Sequence, residues 1–161
     1  MSLQRMQIKT PLGKMILAAS EDGLAGLWFE DQKHMPTYAS WKNVRHHPIL
    51  DQAGAEIDAY FKGQSQIFTT PRKAAWGTEF QQRVWETLMM IPFGGTMTYG
   101  EIARSLDNPN AVRAVGGAVG RNPWSIMAPC HRVLGANGGL TGYAGGLERK
   151  IELLRLEGVL L

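Results

Sequence analysis

The feature that most constrains the fold is a short apolar stretch that holds the only cysteine of the chain. Residues 126–134 begin with apolar side chains, and Pro129 stands directly before Cys130. His131 and Arg132 follow, and a glycine-rich segment closes the stretch. An apolar start and a glycine-rich exit predict a short buried strand that ends at a tight turn. We therefore expect the thiol at the edge of the core, close to a base and an arginine.

A lone cysteine has two ordinary explanations. Most such residues are inert hydrophobes packed in a core. The thiolate, in contrast, is a strong nucleophile, and basic or cationic neighbours stabilise it. His131 and Arg132 are such neighbours of Cys130, so a reactive thiol is a specific alternative. A single cysteine also excludes an intrachain disulfide framework and cysteine-rich zinc sites.

The composition is that of a folded protein with a mild basic bias. The chain has 161 residues, 44% of them hydrophobic and 19% charged, and it can bury one core or two small ones. Its 17 Lys and Arg against 14 Asp and Glu give a net charge of +3, which favours anionic partners only weakly. No run approaches the ~20 apolar residues of a membrane span, and the N-terminus does not resemble a signal peptide. We expect a cytoplasmic protein without membrane association.

The first half of the chain predicts a small α/β module. Three runs, residues 4–10, 14–19 and 24–29, are separated by turn residues, which is typical of an antiparallel meander. Pro48 then begins a pattern of helical spacing that ends at Gly63.

No chemistry is evident in this half. Residues 67–70 resemble a last short strand. Three histidines lie in polar segments and match no common metal-binding spacing. We interpret them as solvated loop residues: His34, His46 and His47.

A joint between two domains is predicted at residues 71–77. It separates an N-terminal domain of residues 1–73 from a C-terminal domain of residues 77–161. Thr78 and Gln81 form a capping box directly after the joint, and apolar residues follow at helical spacing.

Two short helices follow, over residues 99–106 and 111–122, with a four-residue break between them. These are helix-turn-helix proportions. The second helix consists of small residues, with Arg113 its only large polar side chain before Arg121. The pattern fits two packed helices of an ordinary core, and it also fits a helix laid closely into a nucleic-acid groove.

A terminal amphipathic helix is predicted over residues 147–156, with Gly158 as its C-cap. The spacing of its apolar residues predicts an inward face made by Leu147, Ile151 and Leu154.

These motifs, in this order, closely resemble those of the O6-alkylguanine-DNA alkyltransferases, also called methylated-DNA–protein-cysteine methyltransferases. The resemblance is strongest over residues 78–158, about half of the chain. It rests on Thr98-Tyr99-Gly100, residues 111–117, Asn122-Pro123, Pro129-Cys130-His131-Arg132, residues 142–146 and Leu156-Glu157-Gly158. It implies a small N-terminal α/β domain of ribonuclease H-like fold, followed by a mainly helical, winged-helix-like DNA-binding domain that carries the cysteine.

The resemblance implies DNA repair by direct reversal. Such a protein binds the minor groove of double-stranded DNA, flips an O6-alkylguanine out of the stack and moves the alkyl group to its own cysteine. The thioether product has no easy route back to a thiol, so each molecule reacts once, without a cofactor. We expect a monomer with no bound metal and no obligatory protein partner.

The resemblance also implies catalytic roles for five residues. Cys130 is the alkyl acceptor, and His131 is the base that activates it through a bound water. Glu157 orients His131, and Asn122 braces the turn beside the site. Tyr99 helps to rotate the nucleotide and gives a proton to the departing base. Because adjacent side chains on a strand point to opposite faces, a bridging water or a sharp turn must join thiol and imidazole.

DNA contacts are implied for the small-residue helix. Arg113 fills the place that the flipped nucleotide vacates, which offsets part of the cost of flipping. The remaining contacts are assigned to Val112, Gly116, Val119 and Arg121. The alkyl pocket is assigned to Trp124, Met127, Tyr143 and Ala144.

Two other functions fit the residues alone. One is a DNA-binding regulator in which the cysteine is incidental. The other is a cysteine hydrolase that uses Cys130 and His131. Three outcomes distinguish these functions. The repair protein gains an alkyl group covalently, the regulator binds DNA without gaining one, and the hydrolase releases product continuously.

Overall fold

The computed structural model describes residues 2–160 and divides into two compact units. The first unit runs to Trp76, and the second begins at Gly77. A small sheet with one helix forms the first unit, and helices dominate the second. No helix within residues 2–160 has both the length and the apolar character needed to cross a membrane.

The predicted antiparallel meander is confirmed. Strands β1 (Gln4–Thr10), β2 (Gly13–Ala19) and β3 (Leu24–Phe29) pair in sequence order. A two-residue strand, β4 (Lys42–Asn43), pairs in parallel with β1, so the sheet order is β3-β2-β1-β4. The sequence did not indicate β4, because a polar pair of residues carries no period-2 signal.

The helix predicted after Pro48 is confirmed as α1 (Pro48–Phe61). Its buried face packs on β1 and β2. The interpretation of His47 as a solvated loop residue is wrong, because its side chain caps α1 by accepting a hydrogen bond from the backbone N–H of Ile49 at 3.1 Å. Lys62 ends the helix, and Gly63 follows in the left-handed region with φ +71°.

The strand predicted over residues 67–70 is wrong. The chain instead pairs with β3 at Arg72, in a single bridge to Leu24. Residues 69 and 70 are held by a side chain, since both carboxylate oxygens of Glu56 accept hydrogen bonds from the backbone N–H groups and hydroxyls of Thr69 and Thr70.

The second unit contains the other helices. They are α2 (Glu79–Leu88), α3 (Tyr99–Ser105), α4 (Val112–Gly120) and α5 (Leu147–Leu156). The capping box of Thr78 and Gln81 is present at the start of α2, as predicted. The short strands β5 (Met97–Thr98) and β6 (Val133–Leu134) pair in parallel.

The inward face of α5 differs from the predicted one. Leu147 is 46% exposed, whereas Lys150, Leu153 and Leu154 are buried. The apolar spacing misplaced the face because a lysine occupies one of its buried positions. Gly158 follows the helix with φ +78°, as expected for a residue that ends a helix.

We expect the Glu56→Gln variant to lower the free energy of unfolding by about 1–2 kcal/mol at neutral pH, because a charged acceptor of several hydrogen bonds is lost. Burial acts to raise the pKa of Glu56, but the hydrogen bonds from Thr70 and Thr69 outweigh it and lower the pKa. The stabilisation is therefore complete above the ordinary value of 4.5 and is lost as the pH falls through the lowered value.

Urea denaturation at pH 7 and at lower pH measures this difference. The control is Asp58→Asn on the same helix, which removes an exposed ion pair with Lys62 and should cost less than 1 kcal/mol. Equal losses in the two variants would contradict the role of Glu56.

Candidate active site

Cys130 lies in a short 3₁₀ helix, Cys130–Arg132, which we call the cysteine turn. The predicted strand at this position is wrong, since β6 begins only at Val133. Tight local bonds cause the difference: the Cys130 N–H donates to the Ala128 carbonyl at 2.7 Å, and the Arg132 N–H donates to the Pro129 carbonyl at 2.9 Å. Successive residues of a 3₁₀ helix are rotated by about 120°, so thiol and imidazole are not forced to opposite faces.

Asn122 ties together the segment that leads into the turn. Its side-chain N–H donates to the Ala128 carbonyl at 2.7 Å, and its side-chain oxygen accepts from the Trp124 N–H at 3.0 Å. Between them Ile126 has φ +74°, a strained conformation for a β-branched residue. The buried amide thus holds a strained loop in the shape that presents Cys130.

A buried charge cluster lies behind the turn. Arg132 donates to both oxygens of Glu157, from Nε to Oε1 at 2.6 Å and from Nη2 to Oε2 at 2.9 Å. It also donates to the Ile91 carbonyl at 2.6 Å. This two-pronged ion pair keeps the Glu157 side chain, which is fully buried, in a fixed orientation.

Glu157 in turn fixes His131, whose Nε2 lies 2.7 Å from Oε2. An ionised carboxylate can only accept, so Nε2 carries the proton and Nδ1 presents its lone pair. Nδ1 has no hydrogen-bond partner among residues 2–160. Burial lowers the pKa of His131, against the opposing effect of Glu157, so the ring is neutral at pH 7 and is available as a base.

The thiol of Cys130 is buried, with only 5% of the residue exposed. Burial raises its pKa above the ordinary value of 9.0, while a hydrogen bond from Asn122 and the charge of Lys150 act to lower it. Without help, the thiol is therefore less ionised at pH 7 than an ordinary exposed cysteine. A neutral thiol needs a base before it can react as a nucleophile, and the lone pair on Nδ1 of His131 is the candidate for that base.

Lys150 is a site residue that the sequence analysis missed. It is fully buried, and its ammonium donates to the Val133 carbonyl at 2.6 Å and to the Thr141 carbonyl at 3.1 Å. Burial lowers its pKa to about 8. The helical spacing of α5 was the only sequence signal for a buried residue at this position. That signal was not used, because a lysine in a surface helix normally points to solvent.

The pairing of β5 with β6 places Tyr99 next to the segment that leaves the cysteine turn. Met97 pairs with Val133 and Thr98 with Leu134, so the chain enters α3 next to the segment that leaves the cysteine turn. The Tyr99 hydroxyl accepts a hydrogen bond from the Thr141 hydroxyl at 3.2 Å.

Helix α4 exposes a face made mostly of small residues, which we call its thin face. Val112, Arg113 and Arg121 are exposed, and Gly116 is half-buried. A side chain at Gly116 would approach the Tyr99 ring at 4.0 Å, so the helix passes close to the phenol. Val119 is only 7% exposed, so little of its side chain is accessible on this face, and its predicted DNA contact stays a prediction.

The four residues assigned to the pocket separate into two pairs. Tyr143 and Ala144 are half-buried, and they lie in the loop after Thr141. Trp124 and Met127 are buried, and Trp124 packs edge-on against Trp85 with ring centroids 5.8 Å apart. Trp124 thus contributes to the core of this unit.

Family models match both halves of the chain. Residues 5–73 match the ribonuclease-like domain of 6-O-methylguanine DNA methyltransferase, and residues 79–159 match its DNA-binding domain. A methylated-DNA–protein-cysteine methyltransferase of Methanosarcina acetivorans is 47% identical over 93% of this chain and 95% of its own. The chain belongs to the methylated-DNA–protein-cysteine methyltransferase family. A family member from Mycobacterium leprae is 46% identical over 92% of this chain and 88% of its own.

Solved structures agree with this membership. The crystal structure of the O6-methylguanine methyltransferase of Mycobacterium tuberculosis matches with a TM-score of 0.88 and 42% identity, over 96% of this chain and 92% of that one. A structure of the M. tuberculosis protein in complex with DNA matches with a TM-score of 0.87. The expected fold, a ribonuclease-like α/β domain followed by a DNA-binding domain that carries the cysteine, is confirmed.

The geometry predicts how Cys130 reacts with a small alkylating agent such as iodoacetamide. We expect His131→Gln to slow the alkylation about 100-fold at pH 7, because the variant keeps an N–H for Glu157 but loses the base. The difference between the two rates should narrow as the pH rises toward the raised pKa of the thiol, because Cys130 then ionises without a base. The wild-type rate should persist below pH 6.5, since the lowered pKa keeps His131 neutral there.

Intact-mass spectrometry of time points measures these rates. His34→Gln, at an exposed position of the first unit, is the matched control and should react like the wild type. A His131→Gln rate equal to that of the control at pH 7 would contradict the base.

Proposed function

We propose that the protein repairs DNA by moving an alkyl group from O6 of guanine to Cys130, once per molecule. Family membership supports the class of reaction. The observation that carries the assignment to this site is a buried, neutral His131 whose Nδ1 has no hydrogen-bond partner among residues 2–160, one residue after the single thiol of the chain. Residues 77–161 carry both the chemistry and the DNA contacts in this proposal.

The step is a displacement at a saturated carbon. His131 takes the proton of Cys130, directly or through one water, and the sulfur attacks the alkyl carbon in line. The bond between that carbon and O6 breaks, and its electron pair stays on O6. Tyr99 gives O6 a proton, so the products are guanine and a thioether. Since no group in the site cleaves a thioether, the protein is consumed.

Each neighbour of the thiol has a part in this step. Glu157, held by Arg132, stabilises the imidazolium that forms on His131. The Asn122 amide and the Lys150 ammonium both favour the thiolate. Besides the thiol, the reaction thus draws on five buried side chains, which are those of Asn122, His131, Arg132, Lys150 and Glu157.

The DNA partner must offer its base outside the helix, because O6 lies within the stack. Flipping costs a few kcal/mol, and less for a damaged pair. The thin face of α4 permits close approach in the minor groove, and Arg113 fills the vacated space. The M. tuberculosis relative solved in complex with DNA supports a DNA partner. Location in the cytoplasm and a monomeric state stay predictions, as does the absence of a cofactor.

We expect a gain of one methyl group by the wild-type protein after incubation with duplex DNA that contains O6-methylguanine, and no gain by Cys130→Ala. Intact mass followed by peptide mapping measures both the stoichiometry and the position. Unchanged mass with tight DNA binding would instead support a regulator, and continuous release of product from a thioester would support a hydrolase. Either result would overturn the proposal.

We expect Arg113→Ala to slow transfer from duplex DNA at least tenfold more than transfer from free O6-benzylguanine, because only the duplex substrate has to be flipped. Single-turnover rates with each substrate measure this ratio. The control is Arg83→Ala on α2, which removes the same charge from another exposed position. Equal losses on the two substrates would contradict the flipping role.

A further inference from the structure

Thr141 is held at three points, one for each chemical part of the residue. Its carbonyl accepts from the Lys150 ammonium at 3.1 Å. Its methyl group lies over Gly135, where an added Cβ would approach Cγ2 to 3.0 Å. Its hydroxyl donates to the Tyr99 hydroxyl at 3.2 Å.

The first two contacts fix the direction of the third. Lys150 also binds the Val133 carbonyl at 2.6 Å, so the backbone of Thr141 is tied to the strand that leaves the cysteine turn. The methyl and hydroxyl groups of threonine share one carbon, and its χ1 angle is restricted. Packing of the methyl group over the bare Cα of Gly135 therefore selects the rotamer that aims the hydroxyl at Tyr99.

A donated hydrogen bond has a specific consequence for a phenol that serves as an acid. When the Tyr99 oxygen accepts from Thr141, its own proton stays available for another acceptor. As that proton leaves, negative charge develops on the phenol oxygen. Hydrogen bonds to an ionised oxygen are about twice as strong as neutral ones. The Thr141 contact is thus stronger in the transition state than before it, which is the condition for accelerating a reaction.

We propose that Thr141 is a positioning residue for the leaving-group proton, seated by Lys150 and Gly135 so that its hydroxyl orients and stabilises Tyr99. This inference rests on the proposed alkyl transfer. The Tyr99 O–H bond breaks as the bond between O6 and the alkyl carbon breaks, and the proton goes to O6. Thr141 keeps its own proton and donates a hydrogen bond to the phenolate. Solvent then returns a proton to Tyr99.

A double-mutant cycle tests the proposal on the full-length protein. Single-turnover transfer from duplex DNA containing O6-methylguanine is measured for the wild type, Thr141→Val, Tyr99→Phe and the double variant. We expect Thr141→Val to slow transfer about tenfold in the wild-type background, as for loss of one hydrogen bond to a charged group. In the Tyr99→Phe background it should have no further effect. An equal loss in both backgrounds overturns the proposal.

Two further measurements separate the hydroxyl from the packing of the loop. Thr141→Ser keeps the hydroxyl, so its rate should lie closer to the wild type than that of Thr141→Val. Alkylation of Cys130 by iodoacetamide releases iodide, which needs no proton, so Thr141→Val should react there like the wild type. The proposal is overturned if Thr141→Ser transfers the methyl group as slowly as Thr141→Val. It is also overturned if Thr141→Val reacts more slowly than the wild type with iodoacetamide. A wild-type protein that transfers no methyl group would instead refute the proposed function.

Discussion

The chemistry of the site depends on one buried ion pair, between Arg132 and Glu157. An unpaired carboxylate would cost several kcal/mol at this depth, and the second charge with its two hydrogen bonds makes the burial tolerable. Because the guanidinium holds both oxygens, Glu157 meets His131 in a single orientation. That orientation determines which ring nitrogen carries the proton, and so which one can act as a base. In the proposed reaction, the ion pair therefore acts by orienting the imidazole of His131.

Burial has opposite effects on the two partners of the reaction. It raises the pKa of Cys130 and lowers that of His131, so the thiol and the imidazole are both neutral in the resting site. A permanently ionised thiol would react with any small electrophile that reached it. In the proposed reaction, Cys130 becomes a thiolate only when His131 takes its proton. Lys150 and Asn122 supply the stabilisation that the thiolate then requires.

Local signals predicted the regular elements well. These signals depend only on residues that are close in the sequence. Examples are the capping box at Thr78, Pro48 at the start of a helix, and the turn residues between strands. Sequence reasoning failed where distant parts of the chain decide the outcome. Strand β4, the buried Lys150 and the role of Arg132 in holding Glu157 all depend on partners far away in the sequence. The cysteine turn was mistaken for a strand because apolar composition predicts burial but does not distinguish a tight helix from an extended chain.

Helix α5 positions two side chains of the proposed site. Lys150 lies within the helix, and Glu157 is the residue that directly follows its last turn. The carboxylate stands 26 residues beyond the imidazole that it orients. A chain that has not yet docked this helix has an ordinary cysteine with no prepared base. In the proposed mechanism the base is oriented only after α5 has docked, so the tertiary structure of this unit must be complete before the protein can accept an alkyl group.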